Sequence, residues 1–225
     1  MKIQVISDTH GYHSLMRIEE GIDCLIHCGD STNQRNLFNN EIEFEDFFEW
    51  FDGLVIPNKI IIAGNHDTWA LKKYNKDKLA KAGIIYLEDS LVEIDGKTFY
   101  GSPWTPNFGN WNFMRDRARI NTVWEMMRTQ LEKPLDVLIT HGPPKGVLDL
   151  SFDKDHILEN CGDYSLFRHV MNIKPKYHCF GHIHDNSYLV NHGTRNIDGI
   201  NFVNASAVTD GKFGKISYNG HTFEI

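Results

Sequence analysis

Five short segments share one order: an apolar run that reads as a strand, then at once Asp, His or Asn. They are KIQVIS before Asp8-Thr9-His10, CLIHC before Gly29-Asp30, KIIIA before Gly64-Asn65-His66-Asp67, DVLIT before His141-Gly142, and YHCF before Gly181-His182-Ile183-His184. Open α/β sheets collect their sites in the crevice beyond the carboxyl ends of the strands. A strand-then-polar pattern met five times therefore predicts a sheet-based fold with one shared polar site at a sheet edge.

The intervening segments supply helices and turns. A helical pattern after each early strand gives the order of βαβ units. Phe44, Phe47, Phe48, Phe51 and Leu54 recur at helical spacing among acidic residues, predicting an amphipathic helix with a solvated acidic face. Leu91–Ile94 and Lys97–Tyr100 flank Asp95-Gly96, a pair suited to a type I′ hairpin, so the sheet is expected to be mixed. Gly101 to Asp116 reads as a long aromatic loop. Ile120, Val123, Trp124, Met127 and Leu131 mark a second one-sided helix, and Tyr164, Phe167, Val170 and Met171 a third. Short alternating segments at Tyr188–Val190, Ile200–Val203, Lys215–Tyr218 and Thr222–Ile225 read as antiparallel strands closing the fold, with turns at His192-Gly193 and Asn219-Gly220. No repeat, low-complexity tract or linker interrupts residues 1–225, which are expected to form one α/β domain of two facing mixed sheets with helices outside.

Charge and cysteine usage narrow the function classes. A formal charge of −7 and no dense Lys/Arg stripe argue against a surface that tracks duplex nucleic acid. Cys24, Cys28, Cys161 and Cys179 lack the paired spacing of a zinc knuckle or redox pair and are expected to be reduced core residues. No apolar run reaches the roughly 20 residues a membrane helix needs. The first strand begins at Lys2, where cleavage of a leader would remove it. A cytoplasmic protein without membrane contact is the expectation.

The clusters themselves suggest metal chemistry. Two close cations bridged by one carboxylate can polarise a phosphoryl oxygen and hold a hydroxide for in-line attack, which needs about four protein groups per metal less the open positions. Asp8, His10, Asp30, Asn65, His141, His182 and His184 supply that set. Imidazole, carboxylate and amide oxygen without thiolate suit two divalent transition-metal ions, Mn²⁺ first, with Fe, Zn²⁺, Co²⁺ or Ni²⁺ as alternatives. Each cluster alone is weak, since Gly-Asp after a strand is usually a turn and a lone strand-end His usually structural. Their recurrence in one order carries the weight.

These five motifs resemble the ordered motifs of the calcineurin-like metallophosphoesterase superfamily, over residues 1–184. The resemblance implies a four-layer α/β/β/α sandwich with a binuclear metal site. It makes Asp8, His10 and His184 ligands of one metal and Asn65, His141 and His182 ligands of the other. Asp30 bridges the two, and a water or hydroxide between them is the nucleophile. His66 is implied as a phosphate contact or general acid, with Asp67 orienting its ring; the alternative is that this pair caps the following helix. Gly101-Ser102-Pro103-Trp104-Thr105-Pro106, Thr140 to Pro144 and Val203-Asn204-Ala205-Ser206 are similar to the branch containing the mammalian metallophosphoesterase-domain proteins. That likeness implies a phosphodiesterase accepting 2′,3′-cyclic nucleotides. Asn112, and Cys161-Gly162-Asp163, depart from the pattern expected there.

Substrate contacts are less determined. Trp104, Phe108 or Trp111 either offers a face to a nucleobase or plugs a gap between sheet and helix. Arg115, Arg117 and Arg119 either clamp a phosphate or are solvated. His13, His27, His156, His169, His178, His192 and His221 are read as structural. The leading function is hydrolysis of a small, nucleotide-like phosphodiester. A phosphomonoesterase or protein phosphatase and a nuclease share the same site, and a protein-binding scaffold is the reading without catalysis.

Overall fold

The computed structural model describes residues 1–153, 155–210 and 216–225. From the amino terminus, β1 (Lys2–Ile6), β2 (Cys24–His27), β3 (Asn58–Ile61) and β4 (Ile85–Tyr86) lie side by side in parallel. β5 (Ser90–Ile94) and β6 (Lys97–Ser102) form the predicted hairpin, with both turn residues at positive φ, Asp95 at 50° and Gly96 at 73°. Two small pairs decorate the fold, β7 (Thr105–Pro106) with β8 (Met114–Arg115), and, after β9 (Val137–Thr140), β10 (Leu150–Phe152) with β11 (Leu158–Asn160). β12 (Tyr177–Phe180), β13 (Gly193–Ile197), β14 (Ile200–Asn204) and β15 (His221–Glu224) complete the strands. One sheet has the order β15-β1-β2-β3-β4, the other β13-β14-β12-β9-β6-β5. Both are mixed, because β15, β13 and β5 run antiparallel to their neighbours.

Strand alternation divides the apolar residues between three cores. Ile3, Val5, Cys24 and Ile26 from the first sheet meet Phe99, Val137, Ile139, Cys179 and Val203 from the second. The opposite face of the first sheet, with Ile6, Leu25 and Ile61, packs on α1 (Leu37–Gly53) and α2 (Lys73–Lys81) through Phe44, Phe47, Phe51 and Leu79. The opposite face of the second, with Tyr100, Leu138, Phe180 and Phe202, packs on α3 (Arg117–Gln130) and α4 (Tyr164–Ile173). The result is the expected α/β/β/α sandwich. Asn36 starts α1 by accepting from the Phe38 and Asn39 amides, and Asp163 starts α4 through the Leu166 amide. Cys24, Cys28 and Cys179 are buried and all four thiols are free.

Several local expectations differ. Between β1 and β2 there is a three-residue 3-10 turn at His13–Leu15 in place of a helix. Tyr188–Val190 is irregular backbone: Asn186 Oδ1 accepts from the Tyr188 and Leu189 amides, and Asp185 Oδ1 from those of Asn191 and His192. Such side-chain acceptors offer the backbone an alternative to a ladder. The edge strand forms instead at β13, joined to β14 through Asp198-Gly199, both at positive φ. Of the expected strand Lys215–Tyr218, Lys215 lies outside the described residues, and Ile216 makes an isolated bridge to Val208.

Candidate metal centre

The parallel register places the carboxyl ends of β1, β2, β3, β9 and β12 together. Asp8 N–H donates to Gly29 O at 2.9 Å, Gly181 N–H to His141 O at 2.9 Å, and Ala207 N–H to Ser7 O at 2.9 Å, the last joining the two sheets at this end. Two of the motif glycines are required by close approach. A Cβ on Gly64 would stand 2.2 Å from Asp30 Oδ1, and one on Gly181 would stand 2.0 Å from Asp8 Oδ2. Asp8, His10, Asp30 and His182 adopt φ values of 52°, 44°, 55° and 71°, a left-handed backbone that non-glycine residues hold at a cost where surrounding structure enforces it.

All seven expected ligands converge. Side-chain donor atoms of Asp8, His10 and His184 lie within 4.8 Å of one another, as do those of Asp30, His141 and His182. Asn65 Oδ1 sits 3.0 Å from His141 Nε2. Asp30 lies between the groups, its Oδ2 3.4 Å from His141 Nε2 and 3.8 Å from His10 Nε2. His66 joins His10 and Asp30 in a third such set, and its amide donates to Asp30 Oδ1 at 2.7 Å.

The outer hydrogen bonds fix which ring nitrogen faces inward. Nδ1 of His10, His66, His141 and His184 meets Thr32 O at 3.2 Å, Asn33 O at 2.8 Å, Cys28 O at 2.9 Å and Asp210 Oδ1 at 2.8 Å respectively. An oxygen acceptor there requires Nδ1–H, so each Nε2 is left to face the cluster. His10 Nε2 and His184 Nε2 are 3.3 Å apart, and His184 Nε2 is 3.2 Å from Asp8 Oδ1. Asp8 Oδ1 is buried and faces no donor among the described residues except the His184 ring, while Oδ2 accepts from the His182 amide and Ser206 Oγ, both at 2.9 Å. Inward-facing imidazole Nε2 atoms, once free of protons, together with the buried Asp8 and Asp30 oxygens form a donor set that fits divalent transition metals.

Electrostatics agree with the geometry. Burial alone would raise Asp8 and Asp30, yet His184 beside Asp8 and His141 beside Asp30 hold both carboxyls below their usual range. Burial would lower His141 and His184. Asp30 outweighs it for His141, lifting the imidazole to about 9, and Asp210 with Asp8 lifts His184 to about 10. His10 and His182, where burial dominates, fall to about 4 and about 3. Without a cation the cluster thus keeps protons at His141 and His184, one in each half.

Asp67 departs from its expected place. Its carboxylate accepts from the amides of Asp30, Ser31, Thr32 and Gly64, from the Ser31 and Thr32 hydroxyls, and from Trp69 Nε1. It makes no side-chain cap to the following 3-10 turn. The His66 ring is positioned instead by Asn33 O and by Trp111, whose ring centroid is 4.3 Å away. Trp111 carries the Arg35 guanidinium on its ring at 3.3 Å. Trp104 is covered by Arg115 at 3.7 Å, packs on Phe113 and donates to Asp89 at 2.7 Å, which is the gap-filling role. Phe108 alone of the three is mostly open, at 56% exposure, with its ring 5.1 Å from that of His182. The arginines do not converge, since Arg117 pairs with Asp163 and Arg119 with Asp116. Sequence reading passed over Arg35, Ser206 as a partner of Asp8, and Asp210. Arg35 and Asp210 have no local motif, Ser206 enters only as part of Val203–Ser206 with no role attached, and each reaches the site only through the fold.

A cluster of this kind at the strand ends of an α/β/β/α sandwich defines a class, and comparison with known proteins agrees. Residues 1–186 match the calcineurin-like phosphoesterase family model, and the chain belongs to that family. Among curated proteins it is 31% identical over 229 residues to human metallophosphoesterase domain-containing protein 1, covering 91% of this chain and 65% of that protein. A UPF0046 protein of Caenorhabditis elegans is 34% identical over 98% of this chain and 79% of its own length. The chain therefore spans about two thirds of the human relative. Solved structures of similar fold include TT1561 of Thermus thermophilus (TM-score 0.60, 10% identity, covering 90% of this chain and 88% of that one). Another is the phosphopantetheinyl hydrolase of Mycobacterium tuberculosis (TM-score 0.58, 14% identity, covering 97% and 90%). Among the described residues no helix is long and apolar enough to cross a membrane.

Proposed function

We propose that the chain is a binuclear metal-dependent phosphoesterase that hydrolyses small phosphodiesters of the 2′,3′-cyclic nucleotide type. The observation that carries this reading is the inward set of imidazole Nε2 atoms around Asp8 Oδ1 and Asp30 Oδ2, each ring locked from outside by an Nδ1–H bond. Asp8, His10 and His184 would hold one ion, Asn65, His141 and His182 the other, with Asp30 shared. Mn²⁺ is the first candidate. When bound, the pair would polarise phosphoryl oxygens and supply a nucleophile at neutral pH.

The remaining steps belong to this chain's own groups. His66, held through Nδ1, presents Nε2 beside Asp30 and His10, where the ring can contact the phosphate or, as an imidazolium, pass its Nε2 proton to the departing oxygen. Asp67 acts one step back: by gathering the amides of Asp30 and Gly64 it fixes the two loops that carry Asp30, Asn65 and His66. Phe108, next to His182, is the aromatic face available to a base or an aryl leaving group. The Arg35 guanidinium in the recess with Trp111, which no acidic side chain lines among the described residues, favours an anionic ester.

Protein reloaded with Mn²⁺ after chelation is expected to hydrolyse bis-p-nitrophenyl phosphate and 2′,3′-cyclic AMP faster than p-nitrophenyl phosphate. No rate above background with any divalent transition metal would sink the reading, and a preference for the monoester would replace diesterase by monoesterase. Asp30→Asn should lower the rate by roughly a hundredfold or more, because the bridging charge serves both ions. A near-normal rate with both ions bound would remove that role.

A further inference from the structure

A recess of about 270 Å³ opens beside the proposed centre, lined by Arg35, His66, Thr68, Trp111 and Asn112 among others, with no acidic residue in its wall among the described residues. Trp111 forms its spine. The indole has His66 at 4.3 Å between ring centroids and the Arg35 guanidinium 3.3 Å from its centroid. Asn112 pins this segment to the loop of the metal centre, its Nδ2 donating to Asn65 O at 3.3 Å and to Thr68 Oγ1 at 3.1 Å.

Arg35 is placed but hardly used. Its one polar contact among the described residues is Nη2 to Asn110 O at 3.4 Å, and no carboxylate there lies within ion-pairing distance of it. Stacking on the indole restrains the guanidinium while leaving its in-plane N–H groups, apart from the long Nη2 bond to Asn110 O, open for a fork-like grip on an oxyanion. The seat is a cation without a counter-charge, in a chain of formal charge −7. Since His66 and Arg35 open on one recess, a ligand anchored at the Asp30 and His10 edge can reach the guanidinium past the rim of Trp111.

We propose that Arg35 forms a second anion subsite, so that the preferred ester carries a further phosphate beyond the scissile one. This rests on the phosphoesterase reading and names its substrate class more closely. Trp111 is then a support for Arg35 and His66 and not a base platform, since the guanidinium already lies on its ring and the His66 imidazole packs against it at a tilt.

The test is calorimetric binding of adenosine 3′,5′-bisphosphate and adenosine 3′-monophosphate to the Mn²⁺-loaded protein. The bisphosphate is expected to bind roughly tenfold or more tightly, the worth of one charge-assisted pair. Arg35→Gln should erase that advantage while leaving the monophosphate within about twofold, and Arg35→Lys should restore only part of it. Equal affinities in the natural protein, no binding of either nucleotide, or an advantage that survives Arg35→Gln would each overturn the subsite. Equal weakening of both ligands would overturn it too, by moving Arg35 to the scissile phosphate or to loop integrity. Hydrolysis of bis-p-nitrophenyl phosphate is scored separately. Hydrolysis without bisphosphate preference fails the subsite alone, whereas preference without hydrolysis fails the enzymatic reading alone.

Discussion

Ring orientation decides what each residue of the cluster can do. With Nδ1–H given to Cys28 O and to Asp210, the Nε2 atoms of His141 and His184 hold protons that Asp30 and Asp8 stabilise, lifting the two rings to about 9 and about 10. A cation entering either half must displace its proton. Mn²⁺ binding at pH 7 should therefore release roughly one proton per site, and affinity should rise with pH until the two rings lose their protons unaided. Titration calorimetry in buffers of different ionisation enthalpy reads this directly; a buffer-independent heat would mean that the rings are already neutral. The ligands themselves were legible because each stands where an apolar strand stops. The partners that aim them were not, because Thr32 O, Asn33 O and Cys28 O are backbone atoms with no residue signature. Asp210 is brought to His184 only by folding.

At the level of elements, the fold was legible wherever burial imposed a period. Alternation named the central strands, and the 3.6-residue recurrence of Phe44, Phe47 and Phe51 named α1. Reading failed where side-chain acceptors compete with the ladder, as at Asn186, and between β1 and β2, where only a 3-10 turn at His13–Leu15 forms in place of a helix. Asp163 shows how much one cap can carry. Besides the Leu166 amide at 2.6 Å it accepts from Trp124 Nε1 at 3.3 Å and pairs with Arg117, both on α3, so a single carboxylate starts α4 and ties the two helices together. Asp163→Ala should cost about 2 kcal/mol in urea or thermal unfolding, a cap of about 1 kcal/mol plus a buried indole bond of similar size. The carboxylate's partners all lie on α3 and α4 and none is a ligand of the metal cluster, so Mn²⁺ affinity should be retained. A loss of affinity with unchanged stability would contradict the division.

Over the whole molecule, each sheet carries one buried imidazole on its helix-facing side. His27 lies against Phe47 and Phe51, and His178 against Phe180 and Phe202. His27 Nδ1 accepts from the Gly29 amide at 3.2 Å, so Nε2–H donates to Thr9 Oγ1 at 3.1 Å. Thr140 Oγ1 gives its proton to Gly142 O, so it accepts from His178 Nε2, leaving Nδ1 buried without a partner. Both rings are neutral by construction, and burial lowers each to about 3. The sign follows. Between pH 6.5 and about 3 the unfolded chain takes up protons that the folded one refuses, so stability is full above 6.5 and falls as the pH drops through that window. The loss is on the order of a few kcal/mol per ring. Chelated protein should lose urea resistance between about pH 7 and about pH 4.5. In His178→Phe, which removes one titrating ring but also the Thr140 bond, resistance should begin lower at neutral pH and fall less on acidification. A fall as steep as in the natural chain would show that His178 does not contribute to the acid sensitivity.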